Sequence, residues 1–214
     1  MIESYNLMSI THLTLDCNFQ SLKDLPDTIT HLRLYGEFNR SIDDLRKFTS
    51  ITHLTLSCEF NQPIKSLPEN LTHLKFGDRF NQPINHLPET LTHLTFGERL
   101  NVNQPLNDLP ESITHLKIGR RFNYPLNLLP KSITHLFVLY IFNNKSLETI
   151  PNTITHLTML IVKHEPTPIS KIPRSITHLK FHGCSNVIES ILKSIPKSVT
   201  SVISVISVIY LKIR

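Results

Sequence analysis

The sequence predicts a mainly β solenoid of about ten coils, with one short parallel strand per coil and extended or 3₁₀ return limbs. Three observations carry this. The triplet Thr-His-Leu recurs from Thr11, Thr30, Thr52, Thr72, Thr92, Thr114, Thr134, Thr155 and Thr177, and an altered copy begins at Thr200, so successive units are 19 to 23 residues apart. Within a unit the segment from Leu71 to Phe76 alternates apolar and polar side chains, the period of a half-buried strand. Finally, the 214 residues contain no alanine, no tryptophan, 5 glycines and 14 regularly spread prolines, a composition hostile to helical bundles.

A period of this length is too short for repeats built from paired helices and falls in the range of leucine-rich and related solenoid coils. In the strand of the clearest unit, Leu71, Leu74 and Phe76 point inward, joined by Phe80, Ile84 and Leu87 from the rest of the coil. His73 and Lys75 then face out, because neighbouring strand residues point to opposite sides. The chain bends next, at Gly77, Gly97 and Gly119. After the bend, a phenylalanine followed by asparagine recurs, and Asn61, Asn81, Asn123 and Asn143 are expected to form a buried amide ladder bonding backbone groups of adjacent coils. Pro63, Pro83, Pro105 and Pro125, with the Leu-Pro and Ile-Pro pairs from Pro26 to Pro196, fix φ and deny helix to the return limb. Units fill residues 1–214 as a single repeat domain, closed by an apolar strand at about 199–214.

Composition also excludes functions. No Gly-x-Gly-x-x-Gly and no Gly-x-x-x-x-Gly-Lys-Ser/Thr occurs, which removes the two commonest phosphate-cradling loops. Three cysteines, Cys17, Cys58 and Cys184, lack Cys-x-x-Cys spacing and read as reduced, structural thiols. With no leader-like start and no long uninterrupted apolar run, the expectation is a cytoplasmic protein without a membrane span. The net charge of +5 biases encounters toward acidic partners.

The motif Phe-Asn-Gln-Pro-Ile at Phe60–Ile64 and Phe80–Ile84, each followed by Leu-Pro and then Thr-His-Leu, resembles the FNIP repeat family over roughly residues 7–202. The resemblance implies a leucine-rich-repeat-like solenoid of the kind found in social amoebae and the giant viruses that infect them, and thus host cytoplasm if viral. Members of that family are often fused to an F-box. Here the first triplet at Thr11 leaves no room ahead of it for one, so no F-box is expected.

Stacked coils place His12, His31, His53, His73, His93, His115, His135, His156 and His178 in one column on the sheet face. Catalysis needs a unique nucleophile, base and orienting group, and a pair repeated nine times singles out none; the reading is non-enzymatic, with no cofactor. A metal site needs convergent ligands at fixed spacing, which a uniform column does not supply. The column reads first as structural, Thr and His bonding along the ladder. A metal-binding or pH-responsive column is the alternative, with mutual repulsion holding the imidazoles below their usual pKa.

Two residues further along each strand the column varies: Thr14, Arg33, Thr55, Lys75, Thr95, Lys117, Phe137, Thr158, Lys180 and Ile203. Variation on a regular exposed face is the pattern of a recognition surface. Arg79, Arg99 and Arg121 recur beside it as a basic edge suited to an acidic peptide, while the scarcity of interleaved aromatics argues against RNA. From Phe137 and Tyr140 onward the face turns apolar, as exposed partner sites often are. The expected partner-binding set is therefore Arg33, Lys75, Arg79, Arg99, Lys117, Arg121, Phe137 and Tyr140. Two further readings stay open: self-association through the solenoid ends, and a repeat remnant without a partner.

Overall fold

The computed structural model describes residues 9–19, 21–98, 106, 108–119, 122, 124–139, 149–160, 172–183 and 195–206. Ten parallel strands form one sheet in strict chain order: β1 His12–Leu15, β2 His31–Leu34, β3 His53–Thr55, β4 His73–Lys75, β5 His93–Thr95, β6 His115–Ile118, β7 His135–Leu139, β8 His156–Leu160, β9 His178–Gly183 and β10 Ser201–Ile206. Helix among the described residues amounts to two 3₁₀ turns on the return limbs, Leu22–Asp24 and Asp43–Lys47, and the 3₁₀ residue Ser9. The solenoid class expected from the period is what folds.

Register follows the repeat without slippage, His12 opposite His31, His31 opposite His53, and onward to His178 opposite Ser201. A one-residue slip would turn every leucine of the triplet out of the core, so burial pins the alignment. Leu32, Leu54, Leu74, Leu94, Leu116, Leu136, Leu157 and Leu179 are all nearly fully buried. Behind them Phe38, Phe60, Phe76, Phe80 and Phe96 fill the coil interior, with Phe76 and Phe80 stacked at 4.1 Å between centroids.

Each coil turns its strand start with the same three-centre bond. The Thr30 and His31 N–H groups both donate to the Thr11 carbonyl at 2.9 Å, and the pattern recurs to Thr200 and Ser201 on the Thr177 carbonyl. The return limb is closed by Pro-initiated turns such as Leu71 N–H to the Pro68 carbonyl, which leave proline's missing donor without consequence. Of the final strand expected at about 199–214, Ser201–Ile206 is present as β10, and residues 207–214 lie outside the described residues.

A second hydroxyl ladder runs two residues before the Thr-His pair in the earlier coils, whereas Thr153, Ser175 and Ser198 at the same place in the last three have no hydrogen-bond partner among the described residues. Thr28, Ser50, Thr90, Ser112 and Ser132 each donate to a carbonyl of the preceding coil at 2.7 to 2.9 Å. Sequence reasoning missed it, though Ser, Thr or Asn at this place in every unit was a visible signal.

A sheet face with one constant and one variable column

The histidine column is a continuous stack. Eight successive ring pairs from His12 to His178 lie 3.9 to 4.1 Å apart, within 10 to 17° of parallel. The strand spacing sets this separation, and the preceding threonine sets the ring's orientation: Thr Oγ1 lies 2.8 to 2.9 Å from His Nδ1 in every coil from Thr11–His12 to Thr177–His178. The Thr-His bond lies within one coil, while between coils the rings stack and the Thr hydroxyls of most coils donate to the preceding coil's Thr carbonyl at 3.1 to 3.3 Å, so both residues serve the ladder as expected.

The hydroxyl carries one proton and has two neighbours that could take it. Thr72 Oγ1 is 2.8 Å from His73 Nδ1 and 3.1 Å from the Thr52 carbonyl. The hydroxyl donates to that carbonyl, which also accepts from Thr72 N–H at 2.9 Å and His73 N–H at 3.0 Å, and the same donation recurs at Thr30, Thr52, Thr92, Thr114 and Thr177. With its own proton so engaged, Oγ1 bonds the ring by accepting from Nδ1–H, which leaves Nε2 of the neutral ring unprotonated.

The imidazoles from His31 to His156 are held below their usual pKa, first by burial and then by neighbouring rings of the column, and His73 is lowered to about 4. The sequence argument had repulsion as the cause; removal of water by the stacked neighbours is the larger one.

Chelation is a poor match to this geometry. Parallel rings have parallel in-plane lone pairs, so an ion about 2.0 Å out from one Nε2 would sit about 4.5 Å from the next nitrogen of a stack spaced near 4 Å. Among the described residues no group of three or more His, Cys, Asp or Glu is placed to hold a metal ion.

The variable column lies beside this stack in the same register: Arg33 opposite Thr55, Thr55 opposite Lys75, Thr95 opposite Lys117, Lys117 opposite Phe137. Arg33 and Lys75 are exposed, Lys117 and Phe137 half-buried. Two cations rest on aromatic rings, the Arg33 guanidinium 5.6 Å from the Tyr35 centroid and Lys117 Nζ 4.7 Å from that of Phe137. A shallow groove runs along the second of these, between His93, His115, His135 and His156 on one side and Thr95, Lys117, Phe137 and Thr158 on the other. Leu160 continues the apolar stretch half-buried, whereas Tyr140 lies outside the described residues.

At the bend, Arg79 is exposed and pairs with Glu59 across the coil boundary at 3.1 Å. Arg99 and Arg121 lie outside the described residues, so the basic edge is described at Arg79 alone. The asparagine ladder exists where it is described: Asn39 Oδ1 accepts from Asn61 N–H at 2.9 Å, and Asn61 Oδ1 accepts from Asn81 N–H at 2.7 Å. It runs along the surface rather than inside, Asn61 half-buried and Asn81 exposed, because phenylalanines already occupy the interior of the turn. Asn123 and Asn143 fall outside the described residues. Cys17 and Cys58, expected to be structural, are exposed free thiols, and Cys184 is likewise undescribed. No described helix is long and apolar enough to cross a membrane.

Comparison with known proteins agrees with this geometry. The FNIP repeat family model matches residues 60–99 and 103–138. The crystal structure of CroV588, a circular leucine-rich-repeat protein of a giant virus, superposes with a TM-score of 0.66 at 36% identity, covering 86% of this chain. The match spans 28% of the length of CroV588. A search of curated protein sequences gave no match. The chain carries FNIP repeats at residues 60–99 and 103–138, within a leucine-rich-repeat-like solenoid.

Proposed function

We propose that this protein is a non-enzymatic, cytoplasmic binding module that holds an acidic protein segment against its parallel-sheet face. The observation that carries the reading is the pairing of a constant column with a variable one in identical register. The constant column fixes backbone and ring geometry, so the neighbouring position is free to change chemistry from coil to coil without changing shape. Repeat solenoids commonly use such regular faces for protein partners.

Polarity supports an acidic ligand. Arg33, Lys75 and Lys117 lie along the face in one register column, separated by Thr55 and Thr95. An extended peptide laid across the strands would set carboxylates against the cations and an apolar side chain against Phe137. Arg79 at the bend would extend the same field.

The test is capture from the host cytosol followed by reconstitution with the identified, purified partner. Binding by the wild type, weakened at least tenfold by Lys75→Glu with Lys117→Glu in a protein whose circular dichroism is unchanged, is the expected result. A purified partner that binds both proteins equally well would move the site off this face.

The pH-responsive column is the second reading, supported by the lowered imidazoles. It needs no separate ligand: protonation would add positive charge beside the same partner groove.

A further inference from the structure

We propose that the two ends of the solenoid are complementary to each other, and that copies of this chain associate head to tail by adding β1 of one copy to β10 of another. The inference is independent of the sheet-face reading, since it uses strand edges and the ends of the core.

Every coil boundary uses one polar code. The Thr carbonyl of each coil faces the following coil and accepts its Thr and His N–H groups, as Thr11 does for Thr30 and His31 and Thr177 does for Thr200 and Ser201. Further along the strand, Leu56 N–H donates forward to the Lys75 carbonyl at 2.8 Å. Residues of a parallel strand alternate in the edge they serve. Hence Thr200 and Val202 turn backbone groups to the outer edge of β10, while Thr11, His12 and Thr14 turn theirs to the outer edge of β1. Among the described residues neither set has a backbone partner. The two sets are the halves of the bond pattern found between every pair of coils.

The apolar core is open at the same places. Val202 is aligned with Leu179 and occupies the inward position, yet it is 43% exposed where its equivalents in β2 to β9 are 1–2% exposed. At the other end Leu13, in the same column, is half-buried while Leu32 beside it is buried. A second copy in repeat register would set Leu13 over Val202 and His12 over Ser201, continuing both columns. Neither edge carries the lysine, proline or bulge that natural sheets use to block pairing: β1 reads His-Leu-Thr-Leu and β10 Ser-Val-Ile-Ser-Val-Ile.

Such a contact is heterologous, joining different surfaces of two identical chains. It predicts complementation between variants blocked at opposite ends. Val202→Pro and Thr14→Pro each remove one outer-edge N–H without touching a bond to the neighbouring strand, a placement that edge strands tolerate. Sedimentation velocity of the whole chain from micromolar to several hundred micromolar should give wild-type masses rising through multiples of 24.6 kDa. Each variant alone should remain a monomer, and an equimolar mixture should stop at the dimer, since one intact edge of each kind remains. Should Val202→Pro lose its β circular dichroism, Val202→Lys places a charge at the open end of the core with the backbone unaltered and takes its role. A wild type monomeric throughout the range, a blocked variant that still assembles alone, or a mixture that fails to dimerise would each overturn the proposal.

Discussion

A methyl group added to Gly77 would come within 1.8 Å of the Ser57 carbonyl oxygen, closer than any real carbon approaches. The same overlap recurs one coil on, where a Cβ on Gly97 would meet the Gly77 carbonyl at 2.5 Å, and again at Gly119 against the Gly97 carbonyl at 2.3 Å. The glycine column after the strand is thus a packing requirement between coils. Its nearest obstacles are backbone atoms, which cannot swing aside as the Asp78 side chain, also close to Gly97, could.

Gly77→Ala should therefore destabilise by separating two coils. Overpacking of this kind typically costs about 1–3 kcal/mol, which in a domain of this size lowers the melting temperature by roughly 2 to 12 °C. Thermal unfolding followed by circular dichroism checks this. Gly36 is a useful contrast, because its φ of +67° makes the backbone the constraint while the space around it is open. Gly36→Asn should be tolerated better than Gly36→Ala, since asparagine accepts the left-handed region more readily.

Asn61 bridges two coils at the surface. Its Oδ1 accepts from Asn81 N–H at 2.7 Å and from Gln82 Nε2 at 3.3 Å. Asn61→Ala leaves those donors to water, which can reach them, so the expected loss is about 0.5–1.5 kcal/mol, the net worth of an ordinary hydrogen bond. Asn61→Asp keeps the acceptor and should recover most of it. Chemical denaturation of the three proteins distinguishes this ladder from a buried one, for which the alanine variant would lose considerably more.

The lowered imidazoles make stability depend on pH with a definite sign. In the unfolded chain each histidine binds its proton near pH 6.5, whereas in the folded column protonation is deferred, to about pH 4 for His73. Between these values the unfolded state holds more protons, so stability is fully present above about pH 6.5 and falls as the pH drops toward 4. Melting temperature should fall between pH 7.5 and 5.0, by less than fully buried imidazoles would give, because these rings are partly exposed and solvent screens their charge. Replacing His73 and His93 by glutamine should flatten the profile. Equal midpoints at the two pH values would mean that the column titrates as free histidine does.

How much of this was legible beforehand follows from what repeats. The triplet fixed coil number, strand position and register, because a period of 19 to 23 residues with one alternating segment admits few other arrangements. His73 and Lys75 were placed on the outer face and Leu74 and Phe76 inside by alternation alone. The asparagine ladder was foreseen in its partners but not its depth, since sequence does not reveal that Phe60 and Phe80 fill the turn. Cys17 and Cys58 were misjudged for a related reason: they sit at or after strand ends, where alternation no longer assigns a side. The groove at Lys117 and Phe137 depends on which neighbour each variable residue meets, a matter of side-chain reach that periodicity does not encode.

The direction of the Thr72–His73 bond is the most exacting test of the column. The Thr72 hydroxyl donates to the Thr52 carbonyl at 3.1 Å, so it bonds His73 by accepting from Nδ1–H at 2.8 Å. A second proton then goes to Nε2 and leaves this bond in place, so the lowered pKa comes from desolvation of the charge and from the neighbouring rings. Nitrogen-15 spectra of the histidine side chains at pH 7.5 should place Nδ1 in the protonated class and Nε2 in the unprotonated class throughout the column. Thr72→Val removes the hydroxyl while keeping the β-branched shape, and should free the tautomer of His73. Spectra with the proton on Nε2 would reverse the assignment, and would mean that the hydroxyl gives its proton to the ring rather than to the preceding coil.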